Sequence, residues 1–206
     1  MKFKELNLPN KLTVLRLWAV PLCVVAVMLP ESWVPSAVSA VIALVLFIAA
    51  SLTDMLDGKI ARKYNMVTDF GKFMDPLADK FMVFAALITL LVASGFEDIR
   101  AFLLPATLIV ILRELAVTSM RLVVAGKASA TSLAANMLGK IKTVSQIVFI
   151  MTSLLEPVLF GTLIPSLSVL SEHHILTYVT MAFMTLMTVW SGLNYIIGYS
   201  KYLNMK

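Results

Sequence analysis

The chain has 206 residues, of which 60% are hydrophobic and only 14% charged. Soluble globular domains carry about 45–50% apolar residues, so this composition excludes an ordinary soluble fold and indicates a membrane protein. The net charge of +5 is no sign of nucleic-acid binding here, because in membrane proteins the placement of basic residues reports orientation across the bilayer.

Residues 1–11 read as a short amphipathic helix on the membrane surface, with Phe3 and Leu6 offered to lipid and Lys2 and Lys4 to anionic headgroups. Pro9 then allows a turn into the first span. Runs able to cross hydrocarbon, which takes about 20 helical residues each, fall at 12–29, 36–58, 76–95, 101–125, 141–160 and 174–199. The expectation is an all-α, polytopic membrane protein with six transmembrane helices and an N-terminal interfacial helix, with residues 1–206 forming one domain. A cleaved leader is a poor reading of the first run because Arg16 interrupts it, and a lipoprotein reading fails because Leu22 rather than a small residue precedes Cys23. One cysteine allows no internal disulfide.

With 30–35, 96–100 and 161–173 as the outer connections, Arg100 is the only one of 17 Lys and Arg residues in them. Both termini are therefore expected in the cytoplasm, and the absence of organelle targeting points to a bacterial inner membrane. Trp33 at the outer edge and Tyr195, Tyr199 and Tyr202 at the inner end of the last span fit interfacial anchors. His173 and His174 fall in an outer connection and read as solvated.

The second span ends in Asp54-x2-Asp57-Gly58-x2-Ala61-Arg62, and the third opens with Gly71-x3-Asp75-x3-Asp79. Residues three or four apart share a helix face, so each aspartate pair projects to one side. A short connection makes the two helices antiparallel neighbours, which lets the pairs converge at the cytoplasmic face. Carboxylates about 6 Å apart repel by nearly 3 kcal/mol per pair at an effective dielectric near 20. Hard oxygen ligands on rigid helices suit Mg²⁺ or Mn²⁺, and two ions can share Asp54, Asp57, Asp75 and Asp79. The bare alternative is a metal-ion transporter using the same aspartates, since intramembrane carboxylates also mark ion pathways.

Taken as one string, Asp54-x2-Asp57-Gly58-x2-Ala61-Arg62-x8-Gly71-x3-Asp75-x3-Asp79 resembles the signature of the CDP-alcohol phosphotransferase family at every fixed position. The resemblance implies that Asp54, Asp57 and Asp75 hold divalent metal with the CDP diphosphate, and that Asp79 is the general base. It assigns Gly58, Ala61, Arg62 and Gly71 to the CDP pocket, and it implies a homodimer. The substrate expected on this basis is CDP-diacylglycerol.

Three further stretches look like the branch of that family whose acceptor is glycerol 3-phosphate. They are Pro9-Asn10-x2-Thr13-x2-Arg16, Arg113-Glu114-x3-Thr118-x2-Arg121 and Gly139-Lys140-x-Lys142-Thr143. The first carries no evident chemistry of its own. In the others, Arg113, Thr118, Arg121, Lys140 and Lys142 form a candidate acceptor-phosphate site, a patch that a neutral alcohol does not require. Arg113 and Glu114 also lie within a span, where pairing of buried charge is expected. Inositol phosphate, serine and phosphatidylglycerol are the alternative acceptors.

Overall fold

The computed structural model describes residues 7–64, 66, 68–124 and 137–200, except the side chains of Met55, Asp57, Gly58, Ala61, Arg62, Val124, Pro165, Tyr199 and Ser200. Its long helices are α1 (Leu8–Met28), α2 (Ser36–Lys63), α3 (Asp69–Val92), α4 (Arg100–Val124), α5 (Met137–Val158) and α7 (Ile175–Ser200). A π-helical turn at Leu159–Leu163, a 3₁₀ turn at Pro165–Leu167 and the short α6 (Ser168–Glu172) join α5 to α7, where the sequence suggested a plain loop.

The start of α1 departs from expectation. Pro9 does not sit in a turn ahead of the helix but in its first turn, where a missing N–H costs nothing. Asn7 caps the helix, accepting from the Asn10 amide at 3.1 Å. The surface segment expected over 1–11 therefore loses its last four residues to α1, and residues 1–6 lie outside the described residues. Thr68 caps α3 in the same way, accepting from the Gly71 amide at 3.1 Å.

Among the described residues five helical segments are long and apolar enough to cross a membrane, and they correspond to α1, α2, α4, α5 with its π turn, and α7. α3 differs because the stretch from Asp75 to Val92 still carries Asp75, Asp79 and Lys80. Its apolar remainder packs into the bundle through Met82, Leu87 and Leu90. α1 lies against α2 and α3, α5 against α2 and α7, and α4 against α7. Their inner faces share one core that includes Val20, Phe47, Leu103, Phe149 and Met184. The outward faces expose large apolar side chains such as Trp18, Leu112, Leu122 and Leu186. So much exposed apolar surface would aggregate in water but matches lipid.

At the end of the bundle away from the aspartates, a buried carboxylate organises the last helix. Glu156 of α5 is 1% exposed. It accepts from the Leu176 and Thr177 amides at 2.9 and 2.8 Å and from the Thr177 hydroxyl at 2.6 Å. These amides are the unsatisfied donors of the α7 N-terminus, where a negative charge is favoured. His174, expected to be solvated, is buried against Phe96 with ring centroids 5.5 Å apart.

Candidate active site

Two of the aspartates, Asp54 and Asp75, are held by α1. Asn10, Thr13 and Arg16 recur every three residues, so they lie along one helix face, and all three are buried. The Asn10 side-chain amide donates from Nδ2 to Thr68 Oγ1 at 3.0 Å. Thr13 donates its hydroxyl to Asp75 Oδ1 at 2.7 Å. Arg16 forms an ion pair with Asp54. One face of α1 thus ties the end of α2 to the head of α3, which gives a role to the stretch that had none in the sequence.

Gly71 belongs to the same seam. A Cβ there would meet Asn10 Oδ1 at 3.1 Å and Thr68 Oγ1 at 3.4 Å. The close approach that this glycine permits is therefore that of the α1 side chains, tighter than most Cβ contacts.

Asp54, Asp75 and Asp79 line a cavity of about 580 Å³. Arg113, Thr118 and Arg121 of α4 and Lys140 and Lys142 of α5 line the same cavity. The two sets of candidate residues, separated by more than 30 positions along the chain, line one common space. Asp57, Gly58, Ala61 and Arg62 lie in the last turns of α2, and their side chains fall outside those described.

The basic wall is built around Glu114 and Tyr195. Glu114 is 9% exposed and accepts from Arg113 Nη1 at 2.9 Å and from Lys142 Nζ. A buried carboxylate here offsets part of the repulsion between two cations that would otherwise spread apart. Arg113 also donates to Ser191 Oγ at 2.6 Å. Arg121 donates to the Tyr195 hydroxyl at 2.7 Å. The guanidinium carbons of Arg113 and Arg121 lie 5.4 and 4.9 Å from the Tyr195 ring centre, within cation–π range.

Tyr195 is 4% exposed, so it is not the interfacial anchor its position in the chain suggested. Small residues make room for this arrangement. A Cβ at Gly192 would meet Arg113 Cγ at 3.0 Å, and one at Gly139 would meet the Tyr195 hydroxyl at 3.4 Å. Sequence reasoning missed Ser191, Gly192 and Tyr195 because α7 reads as a generic apolar span. The signal that was present is the break of small residues, Ser191-Gly192, one helical turn before an aromatic.

The donor chemistry fits a hard divalent cation, since carboxylates from two helices face one cavity. Among the described residues no three carboxylate, histidine or cysteine groups close into a ready cage, and the fourth carboxylate of the set, Asp57, is outside those side chains. Carboxylates together with guanidinium and ammonium groups lining one cavity, inside a bundle of lipid-facing helices, suit a membrane-bound enzyme acting on phosphorylated substrates.

The sequence profile of the CDP-alcohol phosphatidyltransferase family matches residues 6–190, and the chain belongs to that family. It is 44% identical to the CDP-diacylglycerol–glycerol-3-phosphate 3-phosphatidyltransferase of Bacillus subtilis (strain 168), over 73% of this chain and 77% of that protein. The enzymes of the same name from Sodalis glossinidius (strain morsitans) and Yersinia pestis (strain Pestoides F) are 37% and 34% identical. The alignments cover 74% and 93% of this chain and 79% and 94% of those proteins.

Proposed function

We propose that this protein transfers the phosphatidyl group of CDP-diacylglycerol to sn-glycerol 3-phosphate, giving phosphatidylglycerophosphate and CMP. The observation that carries the reading is the shared cavity, lined by Asp54, Asp75 and Asp79 and also by Arg113, Arg121, Lys140 and Lys142. The carboxylates would hold a divalent metal that neutralises a diphosphate, and the basic groups suit an acceptor that itself bears a phosphate. The names of its relatives agree with that acceptor.

In this mechanism Asp54, Asp57 and Asp75 hold divalent metal, Mg²⁺ or Mn²⁺ and two ions by the donor count, with Asp79 at the edge of the set. When bound, the metal neutralises the diphosphate and the charge that develops on the departing CMP. Gly58, Ala61, Arg62 and Gly71 shape the CDP pocket as the family resemblance implies. Asp79 accepts the proton of the acceptor hydroxyl. That oxygen forms a new bond to the lipid-linked phosphorus while the bond from phosphorus to the CMP oxygen breaks. Arg113, Arg121, Lys140 and Lys142 hold the acceptor phosphate, with Thr118 alongside. The Thr118 hydroxyl donates to the Glu114 backbone carbonyl at 2.7 Å, so it can accept from a hydroxyl of the acceptor but has no proton left for the phosphate.

The same reading places the protein in a bacterial inner membrane as a homodimer, with six spans counting α3. It puts the termini and the active site on the cytoplasmic side, supported by the scarcity of basic residues in the opposite connections. The test is CMP release by the purified protein from labelled CDP-diacylglycerol with each candidate acceptor supplied in turn. Glycerol 3-phosphate is expected to support release. Comparable or faster release with inositol phosphate, serine or phosphatidylglycerol overturns the acceptor assignment.

A further inference from the structure

Two threonines line the active-site cavity, Thr118 on α4 and Thr143 on α5. Each spends its hydroxyl proton on a backbone carbonyl one turn earlier in its own helix. Thr118 donates to the Glu114 carbonyl at 2.7 Å and Thr143 to the Gly139 carbonyl at 3.1 Å. A hydroxyl carries one proton and two lone pairs, so a threonine bonded in this way offers only lone pairs to the cavity. It is then a poor ligand for an ionised phosphate, whose oxygens are acceptors too, and a good one for a hydroxyl.

The acceptor sn-glycerol 3-phosphate brings three polar groups into this space. Its phosphate calls for the cations. Its C1 hydroxyl is the nucleophile, and in the reaction proposed above that proton goes to Asp79. Only the C2 hydroxyl has a proton left to give.

Placement separates the two threonines. Glu114, Thr118 and Arg121 are four and three residues apart, so they share one face of α4, and all three line the cavity. Thr118 therefore stands one turn from Arg121, whose guanidinium is held by the Tyr195 hydroxyl. The C2 hydroxyl is likewise one carbon away from the carbon that bears the phosphate. Thr143 directly follows Lys142 and lies three residues after Lys140, among the groups assigned to the phosphate. Its longer bond to Gly139 leaves its proton the easier of the two to turn toward an anion.

We infer that Thr118 reads the C2 hydroxyl of the acceptor, accepting a hydrogen bond from it and so selecting glycerol 3-phosphate over phosphate-bearing alcohols with no donor at that carbon. The inference rests on the reaction proposed above and adds a specificity-determining contact to it.

The test compares sn-glycerol 3-phosphate with 3-hydroxypropyl phosphate, which keeps the phosphate and the attacking hydroxyl and lacks only the C2 hydroxyl. For each, kcat/KM for CMP release from CDP-diacylglycerol is measured with the purified full chain. The parent protein is expected to favour glycerol 3-phosphate about three- to tenfold, the discrimination of one hydrogen bond. Thr118 is only partly buried, so water replaces the missing hydroxyl and the far larger penalty of a sealed site does not arise. In Thr118→Val, which keeps the branched shape and removes the lone pairs, the ratio is expected to fall toward one through loss with glycerol 3-phosphate alone. Thr118→Ser is expected to restore it, and Thr143→Val to keep the parent ratio.

A purely structural role for Thr118 lowers both substrates together and leaves their ratio unchanged, which overturns the assignment. A collapse of the ratio in Thr143→Val rather than in Thr118→Val overturns it as well. The parent comparison needs no variant, so a ratio of one there is decisive whether or not Thr118→Val folds. Failure of the parent to release CMP with glycerol 3-phosphate overturns the proposed reaction and this contact together, whereas release without discrimination overturns the contact alone.

Discussion

The guanidinium of Arg16, buried on α1, is ion-paired with Asp54 on α2, across a junction that no local sequence pattern marks. One turn earlier Thr13 reaches Asp75 on α3. A single helix face therefore sets the distance between carboxylates that belong to two other helices. Carboxylates gathered at one site repel one another, and the Arg16 cation paired with Asp54 lowers that cost.

Arg16→Met is expected to destabilise the protein by about 1–3 kcal/mol, below the range for a fully buried pair because the Asp54 side chain is 41% exposed. Arg16→Lys keeps the charge and is expected to recover part of the loss. Thermal unfolding of the two variants in detergent checks this. Midpoints equal to that of the parent protein would remove the ion pair from any structural role.

Asp79→Asn preserves the shape of the side chain but cannot take a proton. Turnover is expected to be abolished while binding of CDP-diacylglycerol is largely kept, because Asp54 and Asp75 remain on the same wall. Parallel measurement of CMP release and lipid-nucleotide binding separates the two. Near-normal turnover in this variant would rule out Asp79 as the base.

Tyr195→Phe retains the ring under Arg113 and Arg121 but deletes the hydroxyl to which Arg121 donates. If that hydroxyl aims Arg121 at the acceptor phosphate, KM for glycerol 3-phosphate should rise about three- to tenfold, in line with loss of a hydrogen bond of about 1 kcal/mol. KM for CDP-diacylglycerol should be unchanged. Steady-state kinetics with each substrate varied in turn decides it, and a rise confined to CDP-diacylglycerol would assign the basic wall to the nucleotide-lipid instead.

Removal of divalent cations with excess EDTA is expected to stop CMP release, and addition of Mg²⁺ or Mn²⁺ to restore it. Asp54, Asp75 and Asp79 line the cavity, and their negative charge beside a diphosphate calls for a divalent cation between them. Full activity in EDTA would contradict the metal assignment.

The sequence by itself determined the membrane class, the helical architecture and the aspartate motif, because each rests on short-range regularities. Long apolar runs have only the helix as a way to satisfy their backbone in lipid. Carboxylates three and four residues apart must share a helix face. The pairing of Arg113 with Glu114 was legible for the same reason, since a charge within a span has to find a partner.

Only the tertiary structure decided the rest. That Asn10, Thr13 and Arg16 brace the aspartates depends on α1 packing against α2 and α3, which no residue spacing encodes. That Tyr195 and Ser191 complete the basic wall depends on α7 lying against α4 and α5. An aromatic near the end of an apolar helix is equally compatible with an interfacial anchor and a buried ligand for arginine. His174 was misread for a related reason, because burial of a loop residue is set by what folds over it. The physical divide is range: helix periodicity and burial energetics act within one element, whereas a site assembled from α1, α2, α3, α4, α5 and α7 exists only once those helices have chosen their neighbours.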